Sequence, residues 1–191
     1  MDSFCPSNKE AWRKWLEINH KTKDSVWLIF YKKKSPNPNL TWSEAVDEAI
    51  CFGWIDSVKK TIDKERYKQY FSKRKVKSNW SKINKDKVAC LTEQNLIAEA
   101  GYESIKVAKS NGSWTLLDEV EALIVPKDLE QNLDAVKGAR AYFEGLSKSA
   151  KKGLLHWIFV AKRTETRQKR MKAIVENAGE GLLPKQFRKS K

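Results

Sequence analysis

The sequence predicts an α+β protein: a small antiparallel sheet of about three strands packed with helices, followed by a helical C-terminal part. Two amphipathic segments within the first 53 residues each begin with a capping-box pair, which indicates helices. Three short runs of aromatic and β-branched residues accompany them and favour strands. Beyond residue 78 the apolar residues recur at helical spacing, so the later elements are expected to be helices.

The first helix is expected from about residue 8 to residue 19. Ser7 and Glu10 have the spacing of a capping box, in which each side chain accepts from the other residue's backbone N–H. Trp12 and Leu16 share one face at helical spacing and should point into the core. A second helix follows the same pattern, with its capping box at Thr41 and Glu44.

Three strands are predicted around this second helix. The run SVWLIFYKK, from Ser25, is almost continuously apolar and predicts a buried central strand, after which SPNPN interrupts the chain. Gly53 stands where a left-handed residue often ends a helix. WIDSVKK, from Trp54, and RYKQYFSKRK, from Arg66, then predict two strands joined by TIDKE, a connection of hairpin length.

Tryptophans at core-facing spacings are concentrated in this helix and sheet part, and most are expected to be buried. They are Trp12, Trp15, Trp27, Trp42 and Trp54. Trp54 and Trp80 adjoin polar motifs, so these two are expected at the wall of a pocket.

The later chain is predicted to be helical. One helix is capped at Ser81 and runs to Gly101, and a shorter one ends at residues 111–112. Pro126 suits the first turn of another helix, which continues to about residue 146. Two more helices start at Ser147 and Thr164, and the last one ends at Gly179 or Gly181.

This pattern predicts two structured parts and a connection between them. They are an α+β domain at residues 1–112, a connector at 113–125, a helical region at 126–183 and a frayed basic tail at 184–191.

The net charge of +14 is the strongest global signal, and it is concentrated in two segments. Residues 59–87 hold twelve Lys or Arg against three acidic residues, and residues 148–172 hold nine against one. A basic surface attracts phosphates, anionic lipids or acidic proteins. The two segments are candidates for a single patch.

The sequence has an odd number of cysteines, and they are widely spaced: Cys5, Cys51 and Cys90. This argues against a disulfide framework and against a structural zinc site. No 18-residue apolar run exists, and the N-terminus lacks the pattern of a signal peptide. We therefore expect no membrane span, reduced thiols and a cytoplasmic location.

Three segments resemble the bacterial YdeI or OmpD-associated family, also called bacteriocin-protection proteins. They are WSEAVDEAICFGWIDS at Trp42 to Ser57, RKVKSNWSKIN at Arg74 to Asn84, and HWIFVAKRTETRQKRM at His156 to Met171. One departure is Ser57, where a glycine is common. The resemblance implies a compact cytoplasmic bacterial protein, associated with protection from bacteriocins or antimicrobial peptides and with an outer-membrane porin. It implies no reaction and no cofactor.

The CFGWID stretch has a catalytic and a structural interpretation. Cys51 is a possible nucleophile, but it lies at the C-terminal end of its helix, where the dipole does not favour a thiolate, so a small buried residue is preferred. Asp56 is either a pocket carboxylate or an ion-pair partner of Lys59 or Arg74 that fixes the strand corner, and the ion pair is preferred.

Two basic motifs are candidate anion sites. The first motif, KRKVKSNWSKINK, offers positive charge, a stacking face and hydroxyl donors, which could bind phosphate or nucleic acid. An equally good interpretation is structural: the tryptophan belongs to the core, a serine caps a helix, and the lysines form a solvated surface. AKRTETRQKRM places arginines along one helix face, although exposed ion pairs are the simpler interpretation. The candidate binding residues are Trp54, Asp56, Lys59, Arg74, Lys75, Ser78, Trp80, Asn84, Lys162, Arg163, Arg167 and Arg170.

The leading hypothesis is a non-enzymatic binding protein with a basic surface for an anionic ligand or acidic protein. The alternatives are a small-molecule enzyme with a pocket around Trp54 and Asp56, a nucleic-acid-binding protein, and an interaction protein in peptide resistance whose charge only keeps it soluble. No metal, cofactor or oligomeric state is predicted.

Overall fold

A computed structural model describes residues 2–35 and 38–188 of the chain. Residues 36 and 37 of the predicted SPNPN break and residues 189–191 of the predicted tail lie outside the described part. The chain divides into two compact units, the first ending at Leu116 and the second beginning at Leu117. This division falls within the expected connector of residues 113–125.

The first unit has the predicted α+β architecture, with a four-stranded sheet of order β1-β2-β4-β3. The strands are β1 (Ser3–Phe4), β2 (Ser25–Tyr31), β3 (Trp54–Thr61) and β4 (Arg66–Lys73). β2, β4 and β3 are antiparallel to their neighbours, whereas β1 pairs in parallel with β2. The expected three-strand sheet therefore gains a fourth strand, whose two residues are too few to show an alternating pattern.

Successive side chains of β2 point to opposite faces of the sheet, and only one of these faces is fully buried. Val26, Leu28 and Phe30 are fully buried on the inner face, while Trp27 and Ile29 on the other face are only half-buried. The predicted central strand is present between β1 and β4, and its inner face is fully buried. Helices pack against this inner face.

Two helices form this inner layer, α1 (Lys9–Asn19) and α2 (Trp42–Cys51). Trp12 of α1 is fully buried and donates from Nε1 to the carbonyl of Ala45 at 3.0 Å, which joins the two helices. Asn8, and not Ser7, caps α1 by accepting from the backbone N–H of Ala11.

The predicted capping box at Thr41 and Glu44 is confirmed, with both of its hydrogen bonds present. Trp42, the first residue of α2, differs from expectation, because its side chain is 44% exposed. Its indole N–H donates to Asp56 Oδ2 at 2.9 Å, so this tryptophan links the helix to β3 outside the core.

Two further helices complete the first unit, α3 (Lys82–Glu93) and α4 (Glu99–Ser110). Ser81 caps α3 as predicted, but the expected continuous helix from Ser81 to Gly101 is broken, since Asn95 adopts a left-handed φ of 56°. Gly101 lies inside α4, in close contact with another backbone, and does not end a helix.

The second unit is helical in its described residues. Its helices are α5 (Asp118–Glu121), α6 (Lys127–Asp134), α7 (Ala139–Gly145), α8 (Lys148–Phe159) and α9 (Thr164–Gly179). Ser147 caps α8 as predicted. The single helix expected from Pro126 to residue 146 is instead two helices, because Gly138 takes a left-handed φ of 80° between them. In the described part of the chain, no helix has the length and apolar character needed to cross a bilayer.

Residues 184–188 do not show the fraying expected of the tail. Lys185–Phe187 form a 3-10 turn, the ring of Phe187 lies 5.5 Å from that of Trp157, and Arg188 donates to Asn177 at 2.8 Å. Apolar contact and side-chain hydrogen bonds hold this basic segment.

Candidate ligand-binding cleft

The CFGW segment is a structural corner that joins three elements. Gly53 takes a left-handed φ of 71° and ends α2. The carbonyl of Cys51 accepts from the backbone N–H of Ala98, at the start of α4, at 3.0 Å, and the carbonyl of Gly53 accepts from the N–H of Arg74 at 2.9 Å. The corner thus fixes both α4 and the end of β4.

Two glycines allow the close approach of α4 to this corner. A Cβ on Gly101 would lie 2.4 Å from the carbonyl oxygen of Cys51, and a Cβ on Gly53 would lie 2.8 Å from that of Ala100. Real Cβ atoms do not approach oxygen so closely, so the positions require glycine.

A cleft of about 410 Å³ opens between the corner, the segment after β4 and α4. Its lining is mainly apolar and aromatic, which is typical of small-molecule sites. The lining residues are His20, Lys21, Phe52, Gly53, Trp54, Lys73, Arg74, Lys75, Val76, Trp80, Ala100, Glu103, Ser104, Val107 and Ala108.

Arg74 is the most unusual residue of this lining. Its guanidinium carbon lies 3.7 Å from the centre of the Trp80 ring, and Nη1 donates to the carbonyl of Asn79 at 2.9 Å. Nε and Nη2 are buried and find no acceptor among the described residues. Burial lowers the pKa of Arg74 to about 10, against a weaker opposing effect of Asp56, so the side chain is charged at neutral pH.

Two indole nitrogens of the same cleft also lack acceptors. Trp54 Nε1 and Trp80 Nε1 are buried without a hydrogen-bond partner in the described part of the chain. Together with the two nitrogens of Arg74 they make four unsatisfied donors, all on residues that line the cleft. Buried donors usually have partners, and an arginine or indole nitrogen can only donate, so each of these four nitrogens lacks an acceptor among the described residues.

Three lysines add positive charge to the cleft, namely Lys21, Lys73 and Lys75. Lys73 is partly neutralised by Asp24, whose carboxylate lies 3.0 Å from Nζ. The cleft also includes one carboxylate, that of Glu103. The balance of the lining charges is therefore positive.

Four of the predicted binding residues line this cleft, Trp54, Arg74, Lys75 and Trp80. Trp54 and Trp80 are also almost fully buried, so the interpretations as core residues and as pocket-wall residues both hold. The lining does not include Asp56, Lys59, Ser78 or Asn84.

Asp56 does not form the expected ion pair in the described structure. Its Oδ2 accepts from Trp42 Nε1 at 2.9 Å and from Gln69 Nε2 at 2.8 Å, and these neutral donors hold the carboxylate beside the bulge in β3. Lys59 instead lies over the ring of Tyr67, 4.0 Å from its centre. Ser78 forms a turn with Lys75 through its backbone N–H.

The predicted basic residues near the C-terminus belong to the second unit, and two of the arginines are already engaged there. Both terminal nitrogens of Arg167 donate to Asp128, and this hydrogen bond, assisted by the positive charge, lowers the pKa of the aspartate. Arg170 donates to the carbonyl of Trp157 at 2.5 Å. Lys162 and Arg163 are exposed.

Comparison with known families divides the chain in a similar way. Residues 4–104 match a domain of unknown function (DUF8412), and residues 122–181 match the family described as Bacteriocin-protection, YdeI or OmpD-Associated. The chain belongs to the family of this domain of unknown function, whose model covers more than half of it, and its residues 122–181 are similar to the YdeI/OmpD-associated family. Searches of curated proteins and of solved structures found no match.

The cleft lies within the DUF8412 match, apart from Val107 and Ala108. The segment after β4 and the CFGW corner, which carry two of the resemblance motifs, both contribute to it. The third motif, at His156 to Met171, lies within the YdeI/OmpD-associated match.

Cys51 is buried as preferred, and it lies outside the cleft lining. Burial, together with the charge of Glu48, raises the pKa of this thiol to about 11, so the thiolate is scarce at neutral pH. We expect Ellman's reagent at pH 8 to modify Cys5 and Cys90, which are exposed, rapidly in the folded protein.

Cys51 should react only after guanidinium is added, which raises the titrated number from two thiols to three. A C5S/C90S variant isolates the buried thiol and serves as the control. Rapid modification of Cys51 in that folded variant would contradict its assignment as an inert core residue.

Sequence reasoning missed the α4 side of the cleft. Ala100, Ser104, Val107 and Ala108 line it, yet in the sequence they are ordinary residues of an amphipathic helix. The small residues around Gly101 are the one available signal, since they indicate close helix packing. They do not indicate what α4 packs against.

Proposed function

We propose that this protein is a non-enzymatic binding protein that holds a small amphipathic carboxylate in the Arg74 cleft. The four unsatisfied donors on Arg74, Trp54 and Trp80 carry the proposal. A buried donor without an acceptor costs free energy, and a charged one costs more. A bound carboxylate supplies both the missing acceptors and the opposite charge.

The lining favours a carboxylate with an apolar body over inorganic phosphate. Phe52, Val76 and Val107 offer apolar contact along the cleft, and Arg74 provides a single buried cation. A carboxylate with an apolar body uses both the charge of Arg74 and this apolar lining, whereas inorganic phosphate would leave the apolar lining without contact. The volume of about 410 Å³ is within the usual range of ligand pockets.

Binding requires a small movement of the Arg74 side chain. Nε and Nη2 are shielded from solvent, and Nη1 is held by the carbonyl of Asn79. A carboxylate at the cleft wall draws the edge of the guanidinium towards itself while the Trp80 face continues to support it. The planar fork of arginine then allows two parallel hydrogen bonds.

The enzyme alternative is weaker. Cys51 is inert and outside the cleft, and Asp56 is occupied by Trp42 and Gln69. Unpaired thiols at Cys5, Cys51 and Cys90 support a reducing, cytoplasmic location. Any role in protection from bacteriocins or antimicrobial peptides then operates through the ligand or a partner.

The test is calorimetric titration with decanoate and indole-3-acetate, compared with their neutral amides and with inorganic phosphate. We expect both carboxylates to bind and to weaken at least about 10-fold in Arg74→Met, because a charge-assisted pair is lost. Lys14→Met, at an exposed position of α1 outside the cleft lining, is the matched control and should bind normally.

Affinity should stay constant from pH 6 to pH 8.5 and fall as the pH rises through about 10, where the guanidinium loses its proton. Equal binding of the amides, unchanged binding by Arg74→Met, or no binding of either carboxylate at millimolar concentration would each overturn the proposal.

A further inference from the structure

A second surface of the first unit has features of a nucleic-acid platform. We name it the outer sheet face and define it as Trp27, Ile29 and Tyr31 of β2, Lys68 and Tyr70 of β4, and Lys60 of β3. Alternation assigns these residues to one face, since Val26, Leu28 and Phe71 on the same strands are buried on the other. Lys60 joins them because it is paired in register with Lys68.

Aromatic rings occupy this face in unusual number. Trp27 and Tyr70 are cross-strand partners with ring centres 5.1 Å apart, and Tyr31 follows on the same side of β2. All three are half-buried. A sheet face turned towards solvent usually carries polar side chains, so three accessible rings on adjacent strands point to stacking as a function.

Cations accompany the rings. The ammonium of Lys68 lies 4.8 Å from the centre of the Trp27 ring, and that of Lys60 lies 5.4 Å from it. These two lysines face each other directly across the β3–β4 ladder, an arrangement that is destabilising for like charges. An anion between them removes that repulsion.

The carboxylates near the outer sheet face already have ion-pair or hydrogen-bond partners. Arg66, next along β4 on this face, pairs with Asp63 at 2.8 Å, and Lys73 at the other end pairs with Asp24 at 3.0 Å. Among the described residues of these three strands, the only carboxylate is that of Asp56, which accepts from Trp42 and Gln69. The outer sheet face therefore keeps a positive character.

We propose that the outer sheet face binds single-stranded nucleic acid, with bases stacked on Trp27 and Tyr70 and phosphates held by Lys60 and Lys68. Aromatic rings interleaved with lysines on an open sheet are the combination that recognises unpaired bases and their backbone. In the bound state the lysines leave the Trp27 ring for phosphates, and a base takes their place. The proposal is independent of the Arg74 cleft.

The experiment measures fluorescence anisotropy of labelled twelve-nucleotide oligo(U) RNA and oligo(dT) DNA, with a duplex of the same length, from 25 to 250 mM salt. K60S/K68S should weaken single-strand binding at least about 10-fold at 50 mM salt. It should also reduce the slope of log Kd against log salt by about 1.4, the value for two phosphate contacts on a single strand.

K14S/K106S is the charge-matched control, because both lysines are exposed on helices of the same unit and it should change Kd less than about 2-fold. Trp27→Leu should weaken binding by about 10-fold, which a loss of charge alone would not explain. Arg74→Met should bind the oligonucleotides normally, which separates this proposal from the cleft.

Any of four outcomes would overturn the proposal. The first three are no binding at 25 mM salt, an equal loss in the two lysine variants, and duplex binding as tight as single-strand binding. The fourth is displacement of the labelled oligo(U) by polyglutamate at an equal concentration of charges. That result would indicate an acidic protein as the partner and would overturn the nucleic-acid proposal. Circular dichroism of each variant confirms that the fold is retained.

Discussion

Gly101→Ala is expected to lower the free energy of unfolding of the first unit by about 3 kcal/mol, at the upper end of overpacking effects. The new Cβ would lie 2.4 Å from the carbonyl oxygen of Cys51 and 2.8 Å from Ile97. The closest atom belongs to the backbone and cannot rotate away. Either α4 moves outwards or the CFGW corner shifts.

Either movement also changes the cleft, because Phe52 and Gly53 line one side of it and Ala100 and Ser104 the other. Carboxylate binding by any folded Gly101→Ala protein should therefore weaken together with stability. Urea unfolding followed by tryptophan fluorescence measures the change. Seven of the eight tryptophans lie before residue 117, so this signal reports mainly on the first unit.

Gly145→Ala, in α7 of the second unit, is the control for the substitution itself, since a Cβ there meets nothing within 4 Å and its φ is not left-handed. Alanine favours a helix relative to glycine, so urea unfolding followed by far-UV circular dichroism, which reports on the helices of both units, should show no loss of stability. A Gly101→Ala protein as stable as wild type would show that α4 packs against the corner less closely than described.

Arg13→Met is expected to destabilise the first unit by about 3–5 kcal/mol, because it removes the main partner of a buried carboxylate. Glu48 is 1% exposed and accepts from Arg13 Nη1 at 2.8 Å, with Lys9 at 3.3 Å as its second cation. Arg13 also donates from Nη2 to the carbonyl of Leu96 at 3.0 Å, which fixes the link between α3 and α4.

The double variant Arg13→Met/Glu48→Leu tests the cause. Removing both charges leaves no uncompensated ion, so much of the lost stability should return in urea unfolding. The double variant could instead lose as much unfolding free energy as the two single variants combined. In that case the destabilisation comes from lost packing and from the lost hydrogen bond to Leu96, and not from the ion pair.

The local parts of the fold were predictable because their signals lie close together in the chain. The capping box at Thr41 and Glu44, the cap at Ser81 and the hairpin from Trp54 each depend on residues within one turn or one ladder. The errors occurred where single residues changed the backbone direction. Asn95 and Gly138 adopt left-handed conformations and divide helices that the apolar pattern shows as continuous.

The candidate site was predictable in part. Trp54, Arg74 and Trp80 were selected because aromatic and basic residues adjoin in sequence, and the cleft includes all three. Asp56 was selected as a pocket carboxylate or as an ion-pair partner of nearby cations, but its actual partners Trp42 and Gln69 come from a helix and from another strand. Side-chain hydrogen bonds across elements leave no periodic trace in the sequence.

By itself the sequence determined the α+β class, the main helix starts, the concentration of positive charge and the likeness of the C-terminal part to the YdeI/OmpD-associated family. These depend on composition, short-range spacing and linear motifs. Only the tertiary structure decided that the CFGW segment is a corner, that α4 closes a cleft against it and that Arg74 lies there without sufficient acceptors. Burial and hydrogen-bond satisfaction depend on residues far apart in the chain, and a local pattern does not specify which of them meet.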